Sequence, residues 1–483
     1  MARLLRPDGE AVAKFSGEKG WTQEDLAYKA GYAVGTIANV EAGKSCRIKT
    51  LSNIAQALEV DLAQLIARPP PSSPGQPSPP TIPVGKIQDL KNLVDDIYDH
   101  TRLLYEKTYN FVGRQFVLKE IDRFLEDRER GYFFLLGDPG IGKSAVAACL
   151  VADRGYVHHF NIAAEGINTP ETFLRSVCAQ LIITYGLPYT SIPATATQDA
   201  TFLKRLLEEV SKKLTEGEKA VIVVDALDEA DHRARVTGAN VLYLPMTLPD
   251  GVYIIATTRR ERLDREAVTQ EAPLRLDCEY ESFHIDNDSP DNNEDVKQYL
   301  HDQITKAPNI VIYIKRHQDN EGSFVRKMCE KSEGNFMYLH YVLPEIADGA
   351  YTHVGLDAIP VGLKNYYEDH WRRMQGQDKE GWFKYKLPII VVLAVAKKAI
   401  SVDLLRKFSE VTEPGRVVSA LEDWAQFIHE EIAPYQGGFQ KRYSLYHTSF
   451  YDFLAEKDQI KESGVDLKKV ARAIARKFLE PTP

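Results

Sequence analysis

Residues 137–144 read GDPGIGKS, and their types and spacing suit the binding of phosphate groups. Gly137, Gly142, Lys143 and Ser144 fit the pattern GxxxxGK[ST], in which glycines let backbone N–H groups turn toward phosphate oxygens. Lys143 would neutralise the β- and γ-phosphates of a nucleotide, and the Ser144 hydroxyl would bind Mg²⁺. The other predicted cofactor-binding residues of this phosphate-binding loop (P-loop) are Asp138, Pro139, Gly140 and Ile141.

Acidic residues follow a second apolar run, VIVVDALDEA, where a nucleotide hydrolase needs them. Asp225 ends the predicted strand and would hold Mg²⁺ through water, with Ser144 as the other metal-site residue. Asp228 and Glu229 lie just beyond, where a carboxylate can orient the water that attacks the γ-phosphate. Each of these two could instead be a solvated loop residue or a helix N-cap. Beside a P-loop, the three carboxylates predict a nucleoside triphosphatase.

The segments around these residues alternate between strand and helix patterns. The predicted strands are YFFLL, YVHHFNI, AVIVVDAL, VYIIATT and SFHI, and a helix, IQDLKNLVDDIYDHTRLLYEK, precedes them. Apolar runs of this kind with helices between them predict a parallel sheet buried on both faces. The P-loop then follows a strand and opens a helix, as its motif requires. From about Asn293 onward the pattern is mainly helical.

The acidic strand resembles the Walker B element of the NACHT-type branch of signal-transducing P-loop NTPases, the STAND class. The segment FVGRQFVLKEIDRFL is similar to the one that cups the adenine in this class, which implies that Val112, Gly113 and Arg114 lie beside the base. IIATTRR resembles the sensor strand, which implies that Arg259 faces the γ-phosphate. The alternative is that Arg259 forms a salt bridge at the end of the sheet, and the sensor role is the favoured interpretation.

Two later segments extend the resemblance, which spans about residues 108–460. EGNFMYLHYVL resembles the helical lid motif that packs near the base and sugar, although Asn335 and Phe336 stand where plant-type relatives carry Leu-Pro. YHTSFYDFL is similar to the HxSFxDFL signature of the winged-helix domain. The resemblance implies that His447 reaches the β-phosphate of bound ADP and holds a closed state. A structural histidine bonded within the winged helix is the alternative.

The N-terminal stretch TQEDLAYKAGYAVGTIANVEAGK resembles the Cro/phage-repressor (XRE) type of helix-turn-helix. In that family the second of these helices enters the major groove of DNA. The predicted DNA-binding residues are Gln23, at a phosphate, Val34, Gly35, Thr36 and Asn39, at the bases, and Lys44, in a basic cluster after the helix. Residues 1–67 carry eight Lys/Arg and eight Asp/Glu, however, and the helix has no basic residue to read guanine. The same fold could instead recruit a protein or dimerise.

The predicted fold is multidomain, in keeping with the 483-residue length. An all-α helix-turn-helix over residues 1–67 is followed by a proline-rich linker over 68–86, because proline excludes helices and central strands there. An α/β P-loop NTPase domain with a parallel sheet and a leading helix covers 87–290. A helical lid covers 291–380, and a winged-helix domain with a C-terminal helix covers 381–483.

Composition and charge exclude several classes of protein. The net charge of −9 does not favour a protein whose whole surface binds nucleic acid or anionic membranes. The five cysteines are scattered without a CxxC pair, which argues against a disulfide framework or a zinc site and fits a reducing cytosol. The apolar run LPIIVVLAVA is too short to cross a bilayer and predicts a buried helix. No signal peptide is visible, so we expect a cytoplasmic protein without a membrane partner.

The leading functional hypothesis is an ATP-dependent signalling switch. By resemblance, ADP would lock the NTPase core, lid and winged helix together, and ATP with Mg²⁺ would open them for self-association, with slow hydrolysis. The resemblance points to bacterial defence or stress signalling, with an unknown trigger or partner protein. Relatives often carry a long repeat array after the winged helix, whereas only KDQIKESGVDLKKVARAIARKFLEPTP follows the signature here, so the sequence is either a piece of a longer chain or a short member whose trigger is read elsewhere. The alternatives are an ATP-responsive DNA-binding regulator and a constitutive motor ATPase, which the lid and winged-helix signatures disfavour.

Overall fold

The computed structural model describes residues 4–5, 8–30, 34–42, 46–47, several positions between 54 and 65, and then 91–231, 239–259, 274, 276–278, 280–396, 398–435 and 438–457. The predicted linker over 68–86 lies outside the described residues, as do Lys44 and everything after 457. The chain divides into two compact units. The first comprises Met1–Pro79, Asp99–Phe111 and Ala152–Gly155, and the second comprises Pro80–Tyr98, Val112–Val151 and Tyr156–Pro483.

Short helices build the N-terminal unit. Its elements before residue 48 are β1 (Leu4–Leu5), α1 (Gly9–Glu18), α2 (Gln23–Ala30), α3 (Val34–Glu41) and β2 (Cys46–Arg47). Helix α2 begins with a capping-box arrangement, because the Thr22 N–H donates to Asp25 Oδ2 at 2.9 Å and the Asp25 N–H donates to Thr22 Oγ1 at 3.2 Å. Strands β1 and β2 pair antiparallel. Apolar side chains at helical spacing, including Val12, Leu26 and Ile37, are fully buried and form a small core.

The leading helix predicted before the sheet is two helices, α4 (Lys91–Asp95) and α5 (Thr101–Thr108). Asp99 separates them, since its Oδ1 accepts a hydrogen bond from the Thr101 N–H at 2.8 Å and satisfies a free amide at the start of α5. Helix α4 belongs to the second unit and α5 to the first. The prediction of one continuous helix is therefore wrong.

The second unit is built on the predicted parallel sheet. Its elements in chain order are α6 (Gln115–Asp127), β3 (Gly131–Gly137), α7 (Lys143–Arg154), β4 (Val157–Phe160), α8 (Pro170–Tyr185), α9 (Thr201–Ser211), β5 (Ala220–Asp225), β6 (Val252–Thr258) and β7 (Tyr280–Ile285). The strand order is β4-β5-β6-β3-β7, and all four pairings are parallel. Every residue of β3, β5 and β6 is buried, as expected for central strands with helices on both faces. The prediction of a doubly covered parallel sheet is confirmed.

Six helices follow the sheet. They are α10 (Pro290–Lys306), α11 (Pro308–Arg316), α12 (Glu321–Ser332), α13 (Phe336–Ala347), α14 (Gly362–Gln377) and the short α15 (Lys379–Gly381). Ser289, Asn320 and Asn335 cap three of them by accepting hydrogen bonds from first-turn amides. The mainly helical character predicted for this region is confirmed.

A smaller mixed segment ends the described chain. A π-helical turn, Trp382–Lys386, leads into α16 (Leu387–Ala396), β8 (Ile400–Ser401), α17 (Val402–Ser409), α18 (Pro414–Asp423), β9 (Ile428–Tyr435), β10 (Gly438–Leu445) and α19 (Thr448–Glu456). Its three strands form an antiparallel sheet in the order β8-β10-β9. Helix α16 is the buried helix predicted from LPIIVVLAVA. Within the described ranges, no helix combines the length and apolar character that crossing a bilayer requires.

Candidate functional site

The P-loop connects β3 to α7, so the strand–loop–helix context that its motif requires is present. Within it, Lys143 Nζ donates to the carbonyls of Gly137 and Asp138, at 2.6 and 3.1 Å. Gly140 has a φ of 87°, a left-handed conformation that favours glycine. The loop begins the helix whose positive dipole end favours phosphate.

Asp225 lies at the carboxyl end of β5 and is held by neighbouring groups. Its Oδ1 accepts a hydrogen bond from Thr257 Oγ1 at 2.6 Å, and its carbonyl accepts one from Asn161 Nδ2 at 2.7 Å. Thr257 Oγ1 also accepts the Ala226 N–H at 2.8 Å. Sequence reasoning missed Thr257 and Asn161, because their role depends on β6 and β4 lying on either side of β5. Asp225 is 4% exposed as a residue, so the orientation of its carboxylate is fixed from within the sheet.

The donors for Mg²⁺ are few, as is usual where the ion sits on nucleotide phosphates. The described residues contain no cluster of three or more His, Cys, Asp or Glu that could hold a metal by themselves. Mg²⁺ normally takes one or two protein groups and completes its shell with phosphate oxygens and water. A hydroxyl from Ser144 and the oriented Asp225 carboxylate fit that demand, and both residues stay the predicted metal-site residues.

Arg259 follows β6 and joins two carboxylates. Its Nε donates to Asp228 Oδ2 at 2.8 Å, and its Nη1 donates to Asp452 Oδ2 at 2.7 Å. Asp228 follows β5, whereas Asp452 belongs to α19, so the guanidinium links the sheet to the last described helix. Burial alone would lower the pKa of Arg259, but Asp452 and Asp228 raise it above its ordinary value. The salt-bridge alternative for Arg259 is thus present in the structure, and a contact with the γ-phosphate stays a prediction.

Asp452 is a site residue that sequence reasoning passed over. It is the aspartate of the quoted segment YHTSFYDFL, in which only His447 was assigned a role. The signal was therefore present in the sequence, but its partner Arg259 lies 193 residues away. Only the packing of α19 against the sheet end brings the two together.

Electrostatic coupling joins the P-loop lysine to this set of charges. Burial lowers the pKa of Lys143, while the charges of Asp228 and Asp225 act in the opposite direction. Arg259 adds a second cation within reach of Lys143 and lowers the same pKa further. Two partly desolvated cations beside two carboxylates form a site suited to phosphates accompanied by Mg²⁺.

Glu229 lies in the short 3₁₀ turn Leu227–Glu229 that follows β5. Its carbonyl accepts a hydrogen bond from Asn168 Nδ2 at 2.8 Å, which anchors the turn. Burial raises the pKa of Tyr451, and the charge of Glu229 raises it further, so this carboxylate is within electrostatic reach of α19. Asp228 and Glu229 thus lie in the turn after β5, as the loop alternative expects. Their roles in orienting the attacking water stay predictions.

Arg114 occupies a buried position between the P-loop and α10. Its guanidinium donates to the Ile141 carbonyl and to Asn292 Oδ1, the latter at 2.7 Å, and forms an ion pair with Asp295 at 3.3 Å. Burial lowers its pKa to about 10, and Asp295 opposes that shift. The guanidinium also lies 4.7 Å from the centre of the Phe336 ring. Arg114 therefore holds protein groups together, and its predicted position beside the base stays a prediction.

The two residues before Arg114 lie beside Asp295 and the helices that follow the sheet. A Cβ on Gly113, whose φ is 73°, would lie 2.0 Å from Asp295 Oδ1. Only glycine lets the chain pass this carboxylate, because no side chain fits there. Val112 is half-buried and packs against the apolar core of the following helices. The predicted cofactor-binding residues Val112 and Gly113 thus border the junction of sheet and helices.

His447 is the N-cap of α19. Its Nδ1 accepts the Ser449 N–H at 3.2 Å and lies 2.7 Å from Ser449 Oγ, which in turn lies 2.9 Å from the Tyr367 hydroxyl. Tyr446 stacks on His340 of α13, with ring centres 5.7 Å apart and planes 10° apart. The structural alternative for His447 is therefore observed. Its contact with the β-phosphate of ADP stays a prediction.

The helix-turn-helix residues are described only in part. Gln23 is exposed, and its Nε2 donates to Glu41 Oε2 at 2.5 Å. The predicted base-contacting positions 34, 35, 36 and 39 all belong to α3, but their side chains lie outside the described residues, as does Lys44. The predicted DNA contacts are not tested by this geometry.

Two family matches cover the nucleotide site and the helix-turn-helix. Residues 110–244 match the AAA ATPase domain family, and residues 17–65 match the helix-turn-helix family. Among curated proteins, none matches the chain.

Three of the solved structures that match this chain share only weak likeness with it. The structure of Drosophila ORC bound to DNA shows 12% identity and a TM-score of 0.29, covering 76% of this chain and 99% of that one. Two mutant forms of Thermotoga maritima RuvB show 12% and 11% identity with TM-scores of 0.25 and 0.26. They cover 72% of this chain and 97% and 96% of their own. Likeness at this level bears on neither the domain arrangement nor the function.

The chain thus carries a helix-turn-helix domain and an AAA-type P-loop ATPase domain built on a five-stranded parallel sheet. The P-loop residues lie within the matched ATPase segment, as do Asp225, Asp228 and Glu229. An ATPase domain of this family binds and hydrolyses nucleotide in general. The helix-turn-helix match is compatible with DNA binding.

Proposed function

We propose that this chain is an ATP-dependent signalling switch of the NACHT type within the STAND class. ADP holds the ATPase domain, the helices over 291–380 and the segment over 381–483 in a closed arrangement. ATP with Mg²⁺ favours an open arrangement that associates with further copies of the chain, and slow hydrolysis returns it to the closed one. A γ-phosphate shifts the balance between the closed and open arrangements only if it binds one of them more tightly than the other.

The ion-pair bridge of Arg259 carries this proposal. The guanidinium that would meet a γ-phosphate is shared between Asp228, beside the sheet, and Asp452, on α19. A γ-phosphate competes with Asp452 for the same donors, because both are anions seeking one guanidinium. Binding of ATP would therefore weaken the attachment of α19, whereas ADP, which lacks that phosphate, would leave it in place.

The arrangement of the C-terminal elements supports a winged-helix assignment. Helix α16, strand β8, helices α17 and α18, and the β9–β10 hairpin follow the order helix, strand, two helices, two strands. Helix α19, which bears Asp452 and is capped by His447, directly follows this hairpin. In the proposed mechanism this domain is the moving part, and the helices over 291–380 form the lid.

The helix-turn-helix is proposed as the output or recruitment module. Equal numbers of acidic and basic residues over 1–67 give it no overall basic charge for DNA phosphates. Recruitment of a protein is therefore as compatible with its surface as DNA binding. The biological setting we propose is bacterial defence or stress signalling in the cytoplasm, with an unknown trigger.

An ATP-responsive DNA-binding regulator is the second candidate. The observation that favours it is the helix-turn-helix match over residues 17–65. In this case the ATPase domain senses a ligand and changes the affinity of the N-terminal domain for DNA. DNA binding by the full chain that weakens with rising salt would support this candidate. No binding at low salt would remove it.

The nucleotide and the mass of the purified chain test the switch. We expect copurified ADP, a monomeric mass with ADP, and a larger assembly with a non-hydrolysable ATP analogue. Lys143→Ala should abolish nucleotide binding and assembly, whereas Lys204→Ala, on the exposed face of α9, should leave both unchanged. Fast unstimulated hydrolysis, or the same mass with both nucleotides, would contradict a switch.

A further inference from the structure

Hydrogen bonds from surrounding groups hold the backbone of the P-loop in shape. At one end, Lys143 Nζ donates to the carbonyls of Gly137 and Asp138. At the other end, Arg114 Nη2 donates to the carbonyl of Ile141. In a trans peptide the N–H points opposite to the C=O of the same unit, so donors placed on the carbonyl side leave the following N–H groups facing the other way.

The two carbonyls between these ends are held by the start of α13. Asn335 Nδ2 donates to the Pro139 carbonyl at 3.0 Å, and the Met337 N–H donates to the Gly140 carbonyl at 3.2 Å. Five consecutive P-loop carbonyls, 137–141, therefore accept hydrogen bonds from side chains or from α13. Among these donors, Asn335 and Met337 belong to the helices that follow the sheet and are proposed to form the lid, whereas Lys143 and Arg114 do not.

Asn335 performs two tasks with one amide. Its Oδ1 accepts the N–H groups of Met337 and Tyr338, at 3.0 and 3.3 Å, and thereby caps α13. Its Nδ2 is left to donate to Pro139, which fixes the orientation of the amide. The residue is 7% exposed, so neither bond is readily replaced by water. An aspartate or serine could still cap the helix, but neither has the amide donor that reaches the P-loop.

The contact is too close to be incidental. A Cβ on Gly140 would lie 2.7 Å from both Asn335 Oδ1 and Met337 Cβ, so only glycine lets α13 approach the loop to this distance. A shift of the P-loop backbone at residues 139 and 140 must therefore displace the first turn of α13, or break both hydrogen bonds.

We propose that Asn335 is the positioning residue through which phosphate binding at the P-loop is transmitted to the lid helix α13. A phosphate competes with the Gly137 and Asp138 carbonyls for the Lys143 ammonium, and the loop then relies on its donors from Asn335, Met337 and Arg114. ADP binding thereby tightens the attachment of α13, and opening of the lid loosens the grip on the phosphates. This role rests on the proposed switch function, because it requires a lid that responds to nucleotide.

Asn335→Asp in the full chain tests the role, because it retains the capping oxygen and removes the amide donor, at the cost of an added negative charge. Asn335→Ser is the second variant, since it caps without adding charge and is informative if the aspartate variant fails to fold. Asn320→Asp is the matched control. Asn320 caps α12 by accepting the Ser323 N–H at 3.0 Å, so its variant places the same charge at another cap of these helices.

Hydrogen exchange over residues 336–347 with and without ADP, and the dissociation rate of ADP, are the readouts. We expect ADP to slow hydrogen exchange over residues 336–347 in the parent chain. In Asn335→Ser and Asn335→Asp that slowing should be lost, and both variants should release ADP about tenfold faster than the parent. Asn320→Asp should behave as the parent does. Retention of the ADP effect and of slow release in a folded Asn335 variant overturns the role of Asn335 alone. A parent chain whose α13 does not respond to ADP overturns the proposed switch itself.

Discussion

Arg259 Nη1 donates to Asp452 Oδ2 at 2.7 Å, while Arg259 Nε donates to Asp228 at 2.8 Å. One guanidinium thus joins the acidic end of the parallel sheet to α19, the last helix described. Because a guanidinium offers a limited set of donors in fixed directions, a phosphate bound at this point must displace a carboxylate or share its donors. A phosphate bound to Arg259 would therefore change how α19 is attached to the sheet through Asp452.

Asp452→Asn should weaken the closed arrangement. The pair is partly exposed, at 24% for Arg259 and 52% for Asp452, so we expect ADP to dissociate only about two- to fivefold faster. Added salt should reduce the difference. The measurement is the release of a fluorescent ADP analogue. Glu456→Gln, which breaks the exposed pair of α19 with Lys364, is the control and should leave the rate unchanged. An equal effect in both variants would assign the change to α19 stability.

Glu229→Gln should retain ATP and block its hydrolysis. The substitution keeps the shape of the side chain but removes the carboxylate that would orient or deprotonate water. We expect steady-state phosphate release to fall about 100-fold or more, with ATP affinity within a few-fold of the parent. Asp228→Asn is the comparison. If hydrolysis survives in Glu229→Gln and is lost in Asp228→Asn, the catalytic carboxylate is Asp228.

Thr257→Val should impair the use of Mg²⁺. The Thr257 hydroxyl orients the Asp225 carboxylate and also accepts the Ala226 N–H, and valine keeps the shape without either bond. We expect the Mg²⁺ concentration for half-maximal hydrolysis to rise about tenfold, with rescue in Thr257→Ser. Thr258→Val is the matched control, because within the described chain the buried Thr258 hydroxyl has no hydrogen-bond partner. Unchanged Mg²⁺ dependence in Thr257→Val would contradict the positioning role.

His447→Ala and His447→Asn separate two roles of one residue. Asparagine can cap α19 as the imidazole does, whereas alanine cannot. If His447 also contacts the β-phosphate of ADP, both variants should release ADP faster and assemble without a trigger. If capping is its whole role, His447→Asn should restore the parental rate. The measurements are ADP release and mass in solution.

His370 should make the second unit lose stability in mild acid. Burial lowers the pKa of His370 to about 3, and the charge of Arg373 acts in the same direction. Below the ordinary pKa of about 6.5 the unfolded chain binds a proton that the folded chain excludes, so stability is lost as pH falls below that value. The urea midpoint should drop less between pH 8 and pH 5 in His370→Gln than in the parent. His301→Gln, at an exposed site, should follow the parent.

The sequence by itself determined the local features of this protein. The P-loop between β3 and α7, the carboxylates after β5, and the Thr22–Asp25 capping box each depend on residues close together in the chain. Alternating apolar runs were sufficient to predict the parallel sheet and the buried helix α16. Such features follow from backbone conformation, burial and short-range hydrogen bonds, which a linear pattern encodes.

Only the tertiary structure decided which distant groups meet. Thr257 reaches Asp225 because β6 lies beside β5, and Asn335 reaches Pro139 across 196 residues because α13 packs on the P-loop. The same holds for Asp452, whose motif was recognised but whose partner was not. These contacts depend on strand order and helix docking, where many weak interactions sum, and a pattern of residue types along one chain does not specify that sum.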